Sequence, residues 1–286
     1  MHKPLDPVVI YARSFVETFG ADCSARLKDV ASSIGLSIKE VEAKTFDGAL
    51  VRVAGKPLGK VVINSDIREE GRRLFTLAHE IGHYVLPAHS KTRALCRTRD
   101  VQNWAPGLPA RELEANRFAA EILMPAALIL NELRMEPSLR VVRLIASRFH
   151  TSLTASAYRL AELSSYRIAV VWSSSGRRVW YQTSEEFGRA VELGPVSPES
   201  FAGDCFRDDT VADHPESVPA AAWLYENGLV EGARIWEESI TIPHYDAVLS
   251  LLYMREPIET EAEPPEEEAA LDPMEFTLGR KRWPKK

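Results

Sequence analysis

The pentapeptide His-Glu-Ile-Gly-His, from His79 to His83, constrains the fold of this chain more than any other feature of its sequence. Residues four apart lie one turn apart on the same face of a helix, so both imidazoles project to one side. The preceding residues 74–78 are mostly apolar, which indicates a helix inside a core. A buried imidazole without a partner is costly. The pattern therefore predicts a buried helix over residues 69–85 whose two histidines share a partner.

Two histidines at this spacing are a metal-binding pattern. His79 and His83 can both reach one Zn²⁺ at about 2.0–2.1 Å. Glu80 would not be a ligand, but it could accept a proton from a water molecule on the ion. The same pattern also occurs by chance in helices that carry two surface histidines, so a third ligand is needed to decide between these interpretations.

Residues 111–125 predict a second helix that could supply this ligand. Glu112 and Asn116 are four apart, a spacing that lets Glu112 bind zinc while Asn116 orients a ligand imidazole. Glu114 lies about 200° around the helix from Glu112, and Glu121 is more than two turns on, so we interpret both as solvated charges. Two histidines and a glutamate suit zinc best and leave one position of the ion for water, as in catalytic sites.

The chemistry expected of this site is peptide hydrolysis. Glu80 would take a proton from water and pass it to the leaving amine. The oxyanion that forms also needs an electrophile, for which Tyr84 and His89 are the nearest candidates. An alternative is a protein that binds metal but acts only through interactions. Glu80 argues against this alternative, because metal binding alone does not require it.

These residues resemble the ImmA/IrrE family of metallopeptidases. The resemblance covers about residues 5–165 and rests on two main segments and three supporting ones: 75–83 and 112–125, then 46–48, 59–64 and 72–75. It implies that Glu112 is the third zinc ligand. It also implies that the substrate is a helix-turn-helix repressor, whose cleavage releases genes for stress responses or mobile-element transfer. We interpret residues 59–64 either as an edge strand that pairs with an extended substrate or as an ordinary sheet strand.

Hydrophobic periodicity and turn signals predict an α+β fold. The first part is expected to contain a small three-stranded sheet over residues 37–43, 48–53 and 59–64. A β-hairpin is expected over residues 167–182. The predicted organisation has four parts: a metallopeptidase domain (1–125), a helical segment like a helix-turn-helix (126–165), a small α+β module (166–256) and a flexible tail (257–286) that is acidic and proline-rich, then basic. The resemblance implies that the third part corresponds to a sensor-like module.

Residues 144–160 support a different function, that of a DNA-binding transcription regulator. Their pattern predicts two helices joined by a turn, the second capped by Ser152. Four arginines could contact phosphates: Arg140, Arg143, Arg148 and Arg159. We favour a structural or substrate-docking role for this segment. The second helix has few side chains that read bases, and the formal charge of the chain is −6.

Composition bounds the setting of the protein. The chain has three cysteines and no CxxC pair, which argues against a disulfide framework and for a reducing compartment. We see no apolar secretory signal and no run of the roughly 18–20 apolar residues that a membrane span requires. We therefore expect a cytoplasmic protein without a membrane partner. Four tryptophans are interpreted as core or interface residues rather than a surface for stacking: Trp172, Trp180, Trp223 and Trp236.

Overall fold

The computed structural model describes residues 6–20, 24–52, 57–89, 94–96, 108–208, 214–225 and 229–258. The α+β class is confirmed. The helices are α1 (Pro7–Phe19), α2 (Leu27–Ser33), α3 (Glu70–Val85), α4 (Ala110–Leu123), α5 (Leu130–Leu133), α6 (Leu139–Phe149), α7 (Leu153–Leu163) and α8 (Phe201–Asp208). The strands are β1 (Leu36–Val41), β2 (Gly48–Arg52), β3 (Gly59–Asn64), β4 (Ala94–Cys96), β5 (Arg167–Ser174), β6 (Arg177–Thr183), β7 (Gly194–Pro195), β8 (Glu216–Pro219), β9 (Arg234–Ile242) and β10 (Ala247–Met254).

Two expectations about the ends and the setting of the chain meet the structure only in part. The predicted flexible tail lies, from residue 259 on, outside the described residues. Within the described part of the chain, none of the helices has both the length and the apolar character needed to cross a bilayer. The boundaries at residues 125, 165 and 256 stay predictions.

The first sheet has four strands rather than the predicted three, in the order β1-β3-β2-β4. Strands β1 and β3 are parallel, and the other pairs are antiparallel. Strand β4 was missed because three residues are too few to show an alternating pattern. Strand β3 lies between β1 and β2, so the interpretation of residues 59–64 as an edge strand is wrong. Of the strands described in this sheet, β1 and β4 form its edges.

Helix α3 lies between this sheet and α4, and its residues from Phe75 to His83 are all buried. Gly82 allows α4 to approach closely. A Cβ atom at this position would lie 3.1 Å from Phe118 Cδ1 and 3.4 Å from Ala115 Cα. This close packing places the first turn of α4, which carries Glu112, beside the two histidines of α3.

An ion pair fastens β2 to the start of α3. The buried carboxylate of Asp47, the residue before β2, accepts hydrogen bonds from Arg72 Nε at 3.0 Å and from Arg72 Nη2 at 2.6 Å. Because both donors belong to one planar guanidinium, the contact fixes direction as well as distance. It brings the next residue, Gly48, against the middle of α3.

The second sheet has six antiparallel strands in the order β7-β6-β5-β10-β9-β8. Strands β5 and β6 form the predicted hairpin, and its turn residues Ser175 and Gly176 both have positive φ. One face of the sheet, including Val170 and Leu251, joins the core formed by the helices of residues 7–163. The opposite face, including Val171 and Leu252, packs in a second core. The first core therefore runs continuously from the first sheet to the second.

Two adjacent glutamates of β9 hold one helix on each side of the second sheet. Glu238 Oε2 accepts a hydrogen bond of 2.7 Å from the backbone N–H of Leu139, at the start of α6. Glu237 accepts bonds from the backbone N–H groups of Phe201 at 3.0 Å and Ala202 at 2.7 Å, at the start of α8. Burial raises the pKa of both carboxyl groups, and these bonds oppose that effect. Neighbouring residues of a strand face opposite ways, so the pair anchors both layers.

Candidate metal centre

Three buried side chains from α3 and α4 converge on one point. His79 Nε2 lies 3.0 Å from His83 Nε2. Glu112 Oε2 lies 3.2 Å from His79 Nε2 and 3.1 Å from His83 Nε2. The structure thus brings together all three residues predicted as ligands, and they form a group able to hold a metal ion.

The chemistry of these atoms fits a cation. Asn116 Oδ1 lies 2.8 Å from His79 Nδ1, and an amide oxygen only accepts, so His79 carries its proton on Nδ1. In the neutral ring, Nε2 then points a lone pair at the carboxylate oxygen of Glu112. Two acceptors face each other favourably only with a cation between them. Their separations are also close to the about 3.3 Å expected between ligands of a tetrahedral zinc with bonds of about 2.0–2.1 Å.

A chain of hydrogen bonds orients the second imidazole. His89, in the short turn Pro87–His89 after α3, places Nδ1 2.9 Å from His83 Nδ1 and Nε2 2.8 Å from Glu114 Oε2. The carboxylate of Glu114 accepts from His89 Nε2, which leaves His89 Nδ1 to accept from His83 Nδ1. His83 Nε2 is then free of its proton and faces the cluster. The interpretation of Glu114 as a solvated charge is wrong, and His89 reaches the cluster through the far nitrogen of His83 rather than from its open side.

The electrostatics favour the forms that bind a cation. Burial lowers the pKa of His83 to about 4, because the protonated ring would lose its water. Burial alone would raise the pKa of Glu112. Its contacts with His79 and His83 outweigh that effect and hold the pKa below its ordinary value. At neutral pH His83 is therefore a neutral imidazole, and Glu112 is a carboxylate.

Glu80 lies fully buried on the side of α3 that faces β2. A Cβ atom at Gly48 would lie 2.6 Å from Glu80 Oε1 and 2.6 Å from Thr76 Cγ2. The carboxylate therefore rests directly against the backbone of β2, and only a glycine leaves room for it. Sequence reasoning treated the Asp47-Gly48 pair only as a turn signal and as part of the resemblance, and missed this packing.

Tyr84 is not brought to the cluster. Its hydroxyl donates to the carbonyl oxygen of Ile34 at 3.2 Å, and the guanidinium of Arg52 lies 5.0 Å from the centre of its ring. Arg52 also donates to the carbonyl oxygens of His83 and Tyr84 near the end of α3. Tyr84 and Arg52 thus stabilise the end of the helix that carries the histidines.

Comparison with known proteins agrees with this geometry. Residues 31–161, which include the whole cluster, match the peptidase family described as the IrrE N-terminal-like domain. The chain belongs to the ImmA/IrrE family. A relative, the radiation response metalloprotease IrrE of Deinococcus deserti, is 28% identical over 218 residues, which cover 71% of this chain and 75% of that protein.

The ImmA/IrrE domain match extends into α7, and the packing of that helix removes support for DNA binding. Arg159, one of the four proposed phosphate contacts, is only 3% exposed. It forms ion pairs with Glu121 and Glu162. Glu121 is itself buried and also pairs with Arg13 at 3.2 Å, so its interpretation as a solvated charge is wrong. Ser152 does cap α7, accepting from the N–H of Ala155. Because α7 packs against β5 and β6, it is not presented as a helix that enters a groove.

The hydrogen-bond chain in this ImmA/IrrE site leads to a prediction about metal affinity. We expect His89→Ala to weaken zinc binding by about 10–100-fold, because His83 Nδ1 loses the acceptor that sets its tautomer. His89→Asn, whose amide oxygen can accept the same proton, should retain more of the affinity. Competition with a fluorescent zinc chelator measures both. Wild-type affinity in His89→Ala would show that His89 does not orient the ligand.

Proposed function

We propose that this protein is a zinc-dependent endopeptidase that performs limited proteolysis. In this proposal His79, His83 and Glu112 hold the zinc ion, and Glu80 is the catalytic base. The observation that carries it is the convergence of three buried ligand atoms within 3.0–3.2 Å of one another, with Glu80 buried on the same helix. Membership of a peptidase family supports it, as does the name of the Deinococcus relative.

The roles of the residues follow from their contacts. Zinc, when bound, lowers the pKa of a water molecule toward ~7 and polarises the carbonyl of the scissile bond. Glu80 takes the proton that this water gives up and delivers it to the leaving amine. Asn116 and His89 keep His79 and His83 in the tautomers that present Nε2. Burial of the whole group strengthens each of these interactions, because the surroundings have a low dielectric constant.

The proposed substrate is a protein, and specifically a helix-turn-helix repressor whose cleavage changes transcription in a stress or mobile-element response. The resemblance to the family supports this choice. It also places the activity in the cytoplasm, where such repressors work. The structure adds a way to hold an extended substrate segment. Strand β4 forms an edge of the first sheet, and its residue Cys96 pairs with Gly48, which rests on Glu80. A substrate that adds a strand at this edge would run beside the cluster.

The proposal is tested with the purified chain, zinc and a helix-turn-helix repressor encoded beside its gene. Mass spectrometry should find two fragments from one cleaved bond. A zinc chelator should stop the reaction, and added zinc should restore it. An unrelated folded protein of similar size should stay intact. Cleavage that continues in excess chelator would contradict a metal-dependent mechanism.

A further inference from the structure

A second concave site lies away from the metal cluster, between the first turn of α3, the first turn of α7 and the second sheet. It is a cavity of about 560 Å³. This volume falls within the range of about 300–1,000 Å³ that is common for small-molecule sites. Neither the proposed peptidase chemistry nor the family match accounts for it.

One wall of the cavity is aromatic. Trp172 and Trp180 are cross-strand partners on β5 and β6, and their rings are parallel to within 4°. Tyr245 stands against Trp172 at an angle of 66°, with the ring centres 6.2 Å apart. Trp180 is buried, whereas Trp172 is half-buried and Tyr245 is 38% exposed. Trp172 and Tyr245 therefore present aromatic surface to the cavity, and such surface binds flat rings best. This use of Trp172 differs from its interpretation as a core or interface residue.

The charged side chains that line the cavity already have partners. Arg72 is bound by the buried carboxylate of Asp47, and Glu69 accepts a hydrogen bond of 2.6 Å from the hydroxyl of Tyr245. A charged ligand would have to break these contacts. An uncharged ring with donor and acceptor atoms would not, and it could use the hydroxyl of Thr154 on the opposite wall.

The cavity is connected to the metal centre by hydrogen bonds. Arg72 Nη1 donates to the hydroxyl of Tyr245 at 3.2 Å, and the same guanidinium holds Asp47. Asp47 precedes Gly48, whose backbone lies against Glu80. A molecule that fixes Tyr245 would therefore fix Arg72 and the start of β2 as well.

We propose that this cavity binds an uncharged planar heteroaromatic molecule, stacked against Trp172 and Tyr245, and that its occupancy orders β2 through Arg72 and Asp47. The proposal goes beyond the peptidase activity and does not depend on it.

Binding is tested on the full chain by ligand-observed NMR with indole and adenosine as probes and cyclohexanol as a non-planar control. Both aromatic probes should bind and compete with each other, and cyclohexanol should not bind. Trp172→Ala should weaken binding by about tenfold or more. The matched control is Trp236→Ala. Trp236 is also half-buried and stacks on an aromatic partner, Tyr253, but it does not line the cavity.

Two further variants keep the test decisive. Thr154→Trp fills the cavity from α7 and should abolish binding, so it decides the matter if Trp172→Ala fails to fold. Tyr245→Phe keeps the ring but loses the bonds to Glu69 and Arg72. It should still bind the probes, yet binding should no longer slow amide hydrogen exchange in β2, as it should in the wild type. The proposal is overturned if neither aromatic probe binds the folded wild type, if Thr154→Trp or Trp172→Ala binds normally, or if exchange in β2 is unchanged on binding.

Discussion

Replacing Glu80 by glutamine is expected to leave zinc bound and to slow cleavage of the substrate by about 10²–10⁴-fold, the usual contribution of a general base. The amide has nearly the same shape as the carboxylate but cannot take a proton from water. Glu80 is not among the three side chains whose ligand atoms converge, so the metal site should stay intact. The effect should therefore appear in kcat and hardly at all in zinc content.

The control for this experiment is Glu112→Ala, which removes a proposed ligand. It should lose both zinc and activity, whereas Glu80→Gln should lose activity alone. Zinc content by atomic absorption and initial rates on the same repressor separate the two. An unchanged rate in Glu80→Gln would rule out Glu80 as the base. Loss of zinc in Glu80→Gln would instead make it part of the metal site.

The cluster was predictable because its geometry is mostly local. A spacing of four residues fixes the faces of α3 and α4, and the apolar residues around His79 show which face is buried. Once two helices each present such a face, packing them together brings Glu112 to the histidines with little freedom left. Asn116 followed from the same helical arithmetic, and it does contact His79 at 2.8 Å.

Other features depend on contacts between residues far apart in sequence, which periodicity cannot reveal. The position of Glu114 on α4 showed that it points away from Glu112, but not that the turn after α3 brings His89 to meet it. Glu121 similarly faces Arg159, 38 residues away. The order of strands in the first sheet was hidden for the same reason, because it depends on a three-residue strand. Buried charges paired over long distances are the common cause of these errors.

The resemblance of residues 46–48 and 72–75 to family motifs receives a physical explanation from the structure. Asp47 and Arg72 form the ion pair that fastens β2 to α3. Gly48 allows the two elements to touch beside Glu80. The two segments therefore act together, one supplying the strand and the other its attachment, although neither contains a metal ligand. Sequence alone showed the residues but not their contact.

Substituting alanine at Gly48 is accordingly expected to lower kcat by about 10²-fold while zinc stays bound. The new Cβ atom would lie 2.6 Å from Glu80 Oε1, so either the carboxylate or β2 must move. A displacement of about 1 Å at a reacting group can cost this much rate. The matched control is Gly59→Ala on β3, whose Cβ atom would meet Leu36 Cδ2 at 2.8 Å instead of Glu80. Both variants should lose some thermal stability, but only Gly48→Ala should lose most of its activity. Equal rates in the two variants, measured on folded protein with equal zinc content, would show that contact with β2 does not position the base.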